Sequence, residues 1–422
     1  MQSYISILRR YSFVRASAVA IFIFGFAGAA TSPFQPVIGV RELGLSNHAY
    51  ALIAVFASIT NAIAAVGIGL LSDRFQSYHR PLVLSSGIGI LGFAAIWAMP
   101  SQPVFTMAVI GPLALFSATN SLLFGNLRAQ SEYLKPDEIP IANALMRMMI
   151  SLSWVVVPGL VGLALSSRDS VIDAYLISAV MAAACLATVL FWLRPDRSPK
   201  SEPLPPAGGT GTAPVAPSAG RADRPAQVRL VQPGLRDLGR LLVPGTALRI
   251  LGVALISQVL TVNGTVLPLI LTGQANGRAA DMGLVVGMVA VLEVIFMILW
   301  VRAMRRMTVT TALAISAGLY LIYLGGLAMT TAPWQVYAVS LVAGVGAAGI
   351  ISLPITYLLD LIRDLPGLSA SLIAVNMFLG AAFGSACFAL GTAIAGYQGA
   401  AVLGGLAGVA GAGLLIILER EE

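Results

Sequence analysis

The sequence has little charge and few residues of the kinds that bind metals. Only 10% of its 422 residues are Asp, Glu, Lys or Arg, whereas 58% are hydrophobic. A soluble protein of this size needs more charge on its surface, so a soluble globular fold is excluded. The two histidines, His48 and His79, and the two cysteines, Cys185 and Cys387, show no ligand-like spacing. We therefore expect no metal site and no cofactor, and we expect the cysteines to pack as small apolar side chains.

The hydrophobic residues fall into twelve long blocks. Each block is long enough to cross a hydrocarbon core of about 30 Å at about 1.5 Å per residue. Because lipid offers no hydrogen-bond partners to the backbone, each block must be helical. The sequence therefore predicts an all-α membrane protein with twelve transmembrane helices. The predicted spans are residues 16–40, 49–72, 81–99, 104–127, 139–165, 174–193, 250–272, 282–301, 309–329, 335–359, 368–392 and 399–418.

The first block has some features of a cleavable signal sequence. Arg9, Arg10 and Arg15 precede it, and residues 27–29 (Ala-Gly-Ala) form a small-residue cleavage pattern. However, the apolar stretch continues to Val40, which is longer than the core of a signal sequence. We therefore expect an uncleaved first transmembrane helix.

The positive charges are distributed unequally between the two sides of the predicted membrane. Of the 25 Lys and Arg residues, the loops after the odd-numbered spans hold only Arg41, Arg168 and Arg278. Arg147 lies inside the fifth span, and the other 21 are on the opposite side. The positive-inside rule therefore places both termini and the long central loop in the cytoplasm of a multi-pass inner-membrane protein. The net charge of +7 is explained by the same rule, so no nucleic-acid partner is expected.

A long polar segment divides the twelve spans into two sets of six. Its part at 198–227 is rich in Pro, Gly, Ala, Ser and Thr and cannot form a core. Its later part, Leu230–Val243, is either a short helix on the membrane surface or a loosely ordered tether. The predicted organisation is a six-helix bundle at 1–193, a partly disordered cytoplasmic linker at 194–245 and a second six-helix bundle at 246–422.

The two sets of six spans show a weak internal repeat. An offset of 232 residues aligns Pro36 of the first span with Pro268 of the seventh, and Asn61 of the second with Glu293 of the eighth. Together with the division into six and six, this match predicts two pseudo-symmetric bundles. A protein of this kind binds its solute between the two halves, near the middle of the membrane.

Two full charges lie inside the predicted spans, Arg147 on the fifth and Glu293 on the eighth. Each lies about two helical turns from the cytoplasmic end of its span. Such a charge costs at least about 2.5–3.5 kcal/mol on insertion scales, so it usually faces a cavity or a partner. The two groups are candidates for an ion pair that forms and breaks as the halves move. A permanent pair that holds two helices, and a protonated Glu293 that takes part in proton coupling, are the alternatives.

The fifth span carries several polar residues on one face. Arg147, Ser151, Trp154 and Pro158 recur at helical spacing. An arginine, a hydroxyl and an indole on one stripe suit a sugar, because an indole packs on sugar C–H groups while polar groups bind the hydroxyls. The alternative is that Trp154 packs in the bundle and Ser151 bonds to its own backbone.

Amide side chains in other spans are further candidates for substrate binding. Such amides bind hydroxyl groups well, but they also form routine hydrogen bonds between helices. Their occurrence in both halves predicts a polar central cavity. These residues are Gln35, Asn61, Asn120, Gln258, Asn263 and Asn376.

The segment between the second and third spans resembles a known family motif. Residues 69–74 (Gly-Leu-Leu-Ser-Asp-Arg) resemble the G-x-L-x-D-R sequence of the major facilitator superfamily, although Gln76 and Ser77 depart from the family pattern. From the residues alone, the carboxylate of Asp73 is expected to pair with Arg128, to cap a helix of the other half, or to lie in a solvated turn.

The fifth span and parts of the second half resemble the bacterial sugar efflux transporters within that superfamily. The similarity lies in residues 145–158 with their Arg, Ser and Trp spacing, in Asn263-Gly264, in Leu292-Glu293 and in residues 357–360, which end at Asp360. The resemblance implies two six-helix bundles, alternating access and proton-driven export of mono- or disaccharides. It places Arg147, Trp154, Asn263 and Glu293 in or near the site. The residues expected in proton coupling or gating are Glu293, Arg147, Asp73, Arg74, Arg128 and Asp360.

The function predicted from the sequence is proton-coupled export of sugars or sugar-like solutes. The expected partners are a small-molecule substrate, protons and the lipid bilayer, with the proton gradient as the energy source. Multidrug efflux by the same superfamily is the first alternative. A membrane-embedded transferase is the second, but the sequence offers only Asp137-Glu138 in a loop as an acid/base pair, so we expect no enzyme.

Overall fold

The protein is described by a computed structural model, which covers residues 2–75, 77–135, 137–193, 243–361 and 366–420. The described residues are almost entirely helical. The predicted helix at Leu230–Val243 lies outside this part of the chain, except for its last residue. The helices are α1 (Gln2–Arg10), α2 (Ser12–Thr31), α3 (Asn47–Phe75), α4 (His79–Ala98), α5 (Gln102–Ala108), α6 (Ala114–Ser117), α7 (Thr119–Ala129), α8 (Glu138–Leu165), α9 (Asp173–Phe191), α10 (Pro244–Thr272), α11 (Ala279–Ala303), α12 (Val309–Ala328), α13 (Pro333–Leu361) and α14 (Pro366–Arg420).

Eleven stretches of the described chain are long and apolar enough to cross a membrane. The last of them, Leu372–Arg420, has 49 residues and would extend about 70 Å as one straight helix, more than twice the hydrocarbon thickness. Its backbone leaves the helical conformation at Ala395 and Gly396, where Gly396 has a φ of +63° that glycine adopts without strain. This break divides α14 into two crossings, which gives the twelve spans that the sequence predicts.

Two predicted spans are not continuous α-helices. The first, predicted at 16–40, leaves the α-helix after Thr31 and continues through a turn to a π-helical segment at Val37–Glu42. The fourth, predicted at 104–127, contains a π-helical segment at Val109–Leu113. Prolines within or beside both segments remove backbone donors, which explains why the hydrogen-bond ladder changes register there.

The helices pack as two halves. In the first half, α2 packs against α8 and α9, and α4 packs against α9. In the second half, α10 packs against α14, and α12 packs against α13 and α14. The main contacts between the halves are those of α8 with α11 and of α3 with α14. These four helices therefore form most of the described interface between the halves.

The two ends of the molecule are named here by the chain termini. At the termini face, Arg10 lies 3.7 Å from Glu138 at the start of α8, and the end of α14 packs beside the start of α10. At the opposite end, the far face, Glu42 accepts a hydrogen bond from Ser170 at 2.7 Å. Because successive spans alternate in direction, every described loop belongs to one of these two faces.

The halves are in contact at the far face. Tyr50 of α3 and Phe388 of α14 form an edge-to-face pair with ring centroids 6.3 Å apart, and both belong to one continuous apolar core. Arg41 of the first half donates a hydrogen bond to the carbonyl oxygen of Leu269 in the second half. Near the termini face, by contrast, Ile7 and its buried apolar neighbours form a separate cluster made of first-half residues only. The described halves therefore close on each other at the far face.

Glycines bring α8 and α11 into backbone contact within this closed region. A Cβ on Gly283 would overlap the carbonyl oxygen of Pro158, and a Cβ on Gly287 would lie 2.6 Å from that of Val155. Such distances are shorter than any side-chain carbon tolerates, so only glycine fits at these two positions. We call this contact the far seam.

Candidate functional site

A cavity of about 470 Å³ lies between the two halves, below the far seam. We call it the central cavity. It is bounded by the segment after α2 and by α8 from the first half, and by α10, α11, α12 and α13 from the second. The residues that line it are Ser32, Pro33, Ile150, Ser151, Trp154, Leu260, Asn263, Gly264, Leu267, Pro268, Val286, Val289, Ala290, Glu293, Val294, Met297, Tyr320 and Ile351.

The polar stripe predicted on the fifth span lies on α8, and its members have different positions. Ser151 and Trp154 line the central cavity, and Trp154 is 37% exposed although it lies in the middle of a transmembrane helix. Pro158 is buried in the far seam against Gly283. Arg147, one turn nearer the termini face than Ser151, lines a second cavity. Only the middle of the stripe therefore faces the central cavity.

Asn263 of α10 is the one predicted amide that lines this cavity. Its Oδ1 accepts a hydrogen bond of 2.7 Å from the hydroxyl of Tyr323, which holds the side chain in place. Because the Asn263 oxygen already accepts this bond, we expect the NH₂ group to make the contact with a solute, as a hydrogen-bond donor. Tyr323 in turn packs edge-to-face with Tyr320, which lines the cavity, with ring centroids 5.2 Å apart.

Glu293 of α11 is the only charged residue among the described residues that line the central cavity. It is half-buried, and its nearest neighbours along the wall include Val289, Ala290 and Met297. The ion pairs found between described residues are Arg10 with Glu138 and Arg168 with Asp173. Glu293 is therefore an isolated carboxyl group on an apolar wall of the described cavity.

Arg147 and Glu293 do not pair in this conformation. Glu293 lines the central cavity, whereas Arg147 is exposed in the cavity nearer the termini face. The sequence predicts their similar depth, but it does not predict that they line different cavities. Pairing of these two groups in another conformation stays a prediction.

The other predicted amides do not line the central cavity. Gln258 is fully buried and donates a hydrogen bond of 2.6 Å to the carbonyl oxygen of Gly404, and Asn376 donates one of 3.0 Å to the hydroxyl of Ser257. Both bonds join α10 to α14, so these two amides connect helices. Three half-buried amides lie elsewhere in the first half: Gln35, Asn61 and Asn120.

Besides Glu293 and Arg147, the residues predicted to act in proton coupling or gating lie at the termini face. Asp73 and Arg74 are in the last turn of α3, and their side chains lie outside the described part of the structure. Arg128 is exposed at the end of α7, and Asp360 is exposed near the end of α13. The predicted contact between Asp73 and Arg128 therefore stays a prediction.

Three residues of the site are absent from the sequence-based candidates. Ser32 and Tyr320 line the central cavity, and Tyr323 orients Asn263. Ser32 directly precedes Pro33 where the first span breaks, and serine beside a proline inside an apolar block is a signal that the sequence contains. The two tyrosines are three residues apart on α12, which places them on one helix face.

The lining of the central cavity combines a largely apolar wall with a few polar groups. Leu260, Leu267, Val286 and Ile351 contribute to the apolar part. The polar groups are two hydroxyls, an indole, an amide, a phenol and one carboxyl group. This composition is typical of sites that bind a small molecule by its apolar surface and orient it through a few hydrogen bonds.

Solved structures of transporters share the overall fold. The nucleoside transporter NupG superimposes with a TM-score of 0.73 at 12% identity, over 98% of this chain and 100% of that one. A POT family transporter solved with a thioalcohol-conjugated peptide gives a TM-score of 0.70 at 10% identity, over 97% of this chain and 96% of that one. At these identities the similarity concerns the fold alone.

Comparison of sequences identifies the family. A Deinococcus radiodurans protein described as a "putative sugar efflux transporter" is 26% identical over 288 residues, which are 68% of this chain and 67% of that protein. The model of the Major Facilitator Superfamily matches residues 17–385. This match covers most of the chain, including nine of its predicted spans completely and most of the first and the eleventh. The protein therefore belongs to the Major Facilitator Superfamily of membrane transporters.

Proposed function

We propose that this transporter exports sugars or sugar-like solutes by alternating access and is driven by a proton gradient. The observation that carries the proposal is the convergence of Ser151, Trp154, Asn263 and Glu293 on one cavity between the halves. That cavity is closed at the far face by contacts that the two halves share. A site at this position is exposed to each side in turn as the halves rock against each other.

The substrate class is argued from three side chains. Trp154 offers an indole surface to the apolar face of a sugar ring, while Ser151 and the NH₂ group of Asn263 offer hydrogen bonds to its hydroxyls. They come from both halves, so a bound sugar would bridge the two. The similarity to the Deinococcus radiodurans protein, which is described as a sugar efflux transporter, supports the same class.

The proton carrier in this proposal is Glu293. A carboxyl group in a transmembrane helix is costly, and such groups commonly belong to proton pathways. Glu293 faces the solute cavity and has no described cation beside it. Proton binding and solute binding would therefore compete within one cavity, which is the requirement for exchange of the two. No cofactor is needed for this cycle.

The orientation in the membrane follows from the distribution of charge. The termini face carries most of the Lys and Arg residues, so we place it in the cytoplasm and the far face outside the inner membrane. In that orientation the structure is closed to the outside. Solute would enter from the cytoplasm and leave once the far seam has opened.

Transport into everted membrane vesicles tests this function. Radiolabelled sugars are supplied with and without a proton gradient to vesicles that carry the wild type, Glu293→Gln or Asp169→Asn. Asp169 is an exposed acid of the far-face loop, which makes its variant a matched control. We expect gradient-driven accumulation in the wild type and the control and its loss in Glu293→Gln. Accumulation by the glutamine variant at the wild-type level would exclude Glu293 from proton coupling.

Multidrug efflux is the second candidate because most of the central cavity wall is apolar. An amphipathic cation would pack against Leu260, Val286 and Met297 and pair with Glu293. The same vesicles distinguish the two functions when a cationic dye replaces the sugar. Accumulation of the dye without accumulation of any sugar would favour multidrug efflux and overturn the sugar proposal.

A further inference from the structure

A second cavity, of about 1070 Å³, opens at the termini face of the first half. We call it the mouth cavity. Arg128 at the end of α7 and Arg147 on α8 both line it, together with the polar side chains of Tyr78, Ser131 and Asn143. It is more than twice as large as the central cavity, so it has room for a hydrated solute before that solute moves inward.

The two arginines bring positive charge into one concave surface. Both are exposed, and neither belongs to an ion pair between described residues. The described residues that line the mouth cavity include no acidic side chain. Two cations on one wall repel each other unless an anion lies between them, and a cleft with one sign of charge concentrates ions of the opposite sign. The described part of this surface therefore favours an anionic ligand. The carboxylate of Asp73, which the sequence predicts as a partner of Arg128, is the anion that would compete with such a ligand.

The positive-inside rule explains Arg128 but not Arg147. Arg128 lies at the membrane boundary, where Lys and Arg residues are common. Arg147 lies about 13 Å along α8 from Glu138, which begins the helix, and a charge at that depth has an energetic cost. A guanidinium group kept exposed at such a position, without a described carboxylate partner, indicates a role in binding.

The mouth cavity and the central cavity are adjacent along α8. Arg147 lines the first, and Ser151, one helical turn further, lines the second. Trp154 follows on the same face, about 10 Å along the helix axis from Arg147. A solute that enters through the mouth cavity would therefore meet the two arginines before it reaches the indole. Arg147 would contact the charged group of a solute, and the indole of Trp154 would contact its apolar face, at successive positions along α8.

We propose that Arg128 and Arg147 bind the anionic group of an acidic sugar, a carboxylate or a phosphate, as the solute enters. The planar guanidinium group suits both anions, because it donates two parallel hydrogen bonds to their oxygens. The proposal rests on the proposed function and narrows its substrate class from sugars in general to sugars with a negative charge.

Binding to the purified full-length protein in detergent tests the proposal. Glucuronate and glucose are titrated by calorimetry, because they share the ring and four hydroxyls and differ in the charge of one carboxylate. The proteins are the wild type, Arg128→Gln, Arg147→Gln, Arg147→Lys and Arg306→Gln. Arg306 is an exposed arginine of the termini face that lines neither cavity, so it is the matched control. Size-exclusion chromatography confirms that each variant is folded and monodisperse.

The ratio of the glucuronate and glucose affinities is the decisive quantity. We expect the wild type and Arg306→Gln to prefer glucuronate, and each glutamine variant at Arg128 or Arg147 to reduce the ratio by roughly tenfold or more. Arg147→Lys keeps the charge and loses the planar fork, so its ratio should lie between those of the wild type and Arg147→Gln. Equal affinities in the wild type, or an unchanged ratio in both glutamine variants, would overturn the proposal.

Two further measurements distinguish the sugar-acid site from a lipid site and from the export function. Short-chain phosphatidylglycerol is titrated in the same way, and arginine-dependent binding of this lipid without binding of glucuronate would assign the arginines to a lipid headgroup and overturn the proposal. Uptake of both sugars into vesicles is measured in parallel. Arginine-dependent binding of glucuronate with no uptake of either sugar would support the anion site and contradict the proposed export. Uptake of glucose without any preference for glucuronate would support the export and contradict the anion site.

Discussion

The far seam and the mouth cavity lie at opposite faces of the protein and differ in chemistry. At the far seam, Gly283 and Gly287 bring the backbones of α8 and α11 into contact. At the same face, Arg41 donates a hydrogen bond to a carbonyl oxygen of the other half. At the mouth cavity, Arg128 and Arg147 line an open concave surface. The first region is held by close packing, whereas the second presents charge to water. The comparison indicates that packing closes the far face, whereas in our proposal charge receives the solute at the termini face.

The largest effect is expected from a methyl group added at the far seam. In Gly283→Ala the new Cβ overlaps the Pro158 carbonyl oxygen, so the halves cannot close as they do here. We expect transport in vesicles to fall by about fivefold to a hundredfold, because a clash of this kind costs typically about 1–3 kcal/mol. Gly318→Ala on α12 is the control, since a Cβ there meets no atom within 4 Å. Similar transport by the two variants would show that the seam does not set the far-face closure.

The next largest effect is expected in the central cavity, which lies between the far seam and the mouth cavity. Trp154→Ala removes the indole from the central cavity, and we expect sugar affinity to fall by about tenfold. Trp154→Phe keeps an aromatic face and should lose less. The control is Trp97→Ala, because Trp97 is outside the central cavity and bonds to Asp173 at the far face. Sugar affinity is measured by calorimetry. Equal losses of affinity in Trp154→Ala and Trp97→Ala would show that the indole of Trp154 is not part of the sugar site.

A smaller effect is expected at the polar contact of the far face. Arg41→Ala removes the hydrogen bond to the Leu269 carbonyl oxygen, which is worth about 1 kcal/mol and so shifts the balance of conformations about fivefold. A Ser32→Cys reporter in the central cavity should then react about fivefold faster with a membrane-impermeant maleimide added at the far face. The background carries Cys387→Ser, because the native thiol of Cys387 is half-buried. An unchanged rate would mean that packing alone closes this face.

The smallest effect is expected away from both regions. Arg10→Gln removes the ion pair with Glu138 on the surface, where the arginine side chain is 58% exposed. Pairs of this kind contribute little, so the midpoint of thermal unfolding should change by less than about 2 °C and transport should be unaffected. A larger change would show that α1 is coupled to the position of α8, which carries Arg147 and Ser151.

The spans and their division into two halves follow from the sequence because the membrane imposes them. Hydrocarbon thickness fixes the length of each block, and the polar segment separates six blocks from six. The breaks in the first and fourth spans are not predicted in this way. The sequence shows where the prolines are. The backbone distortion that each proline causes depends on its contacts with the neighbouring helices.

The site is predicted less completely, and α10 shows why. Asn263 and Gln258 are amides on this helix, five residues and therefore about 140° apart around its axis. Asn263 faces the central cavity, whereas Gln258 bonds to Gly404 of α14. A helix that is apolar on all sides gives no signal for which face meets the cavity. The same limit applies to Arg147 and Glu293, whose depth is predicted while their separation depends on the position of the halves.

If sugar crosses the membrane by alternating access, the far-face contact must open and close. In a background that carries Cys185→Ala and Cys387→Ser, Tyr50→Cys and Phe388→Cys place two thiols where the rings now pack across the halves. A short reducible bis-methanethiosulfonate joins them, and the single Tyr50→Cys variant is the control. We expect cross-linking to abolish radiolabelled sugar uptake into everted vesicles and a reductant to restore it. Undiminished uptake by protein whose cross-link is verified by mass spectrometry would exclude alternating access at this site.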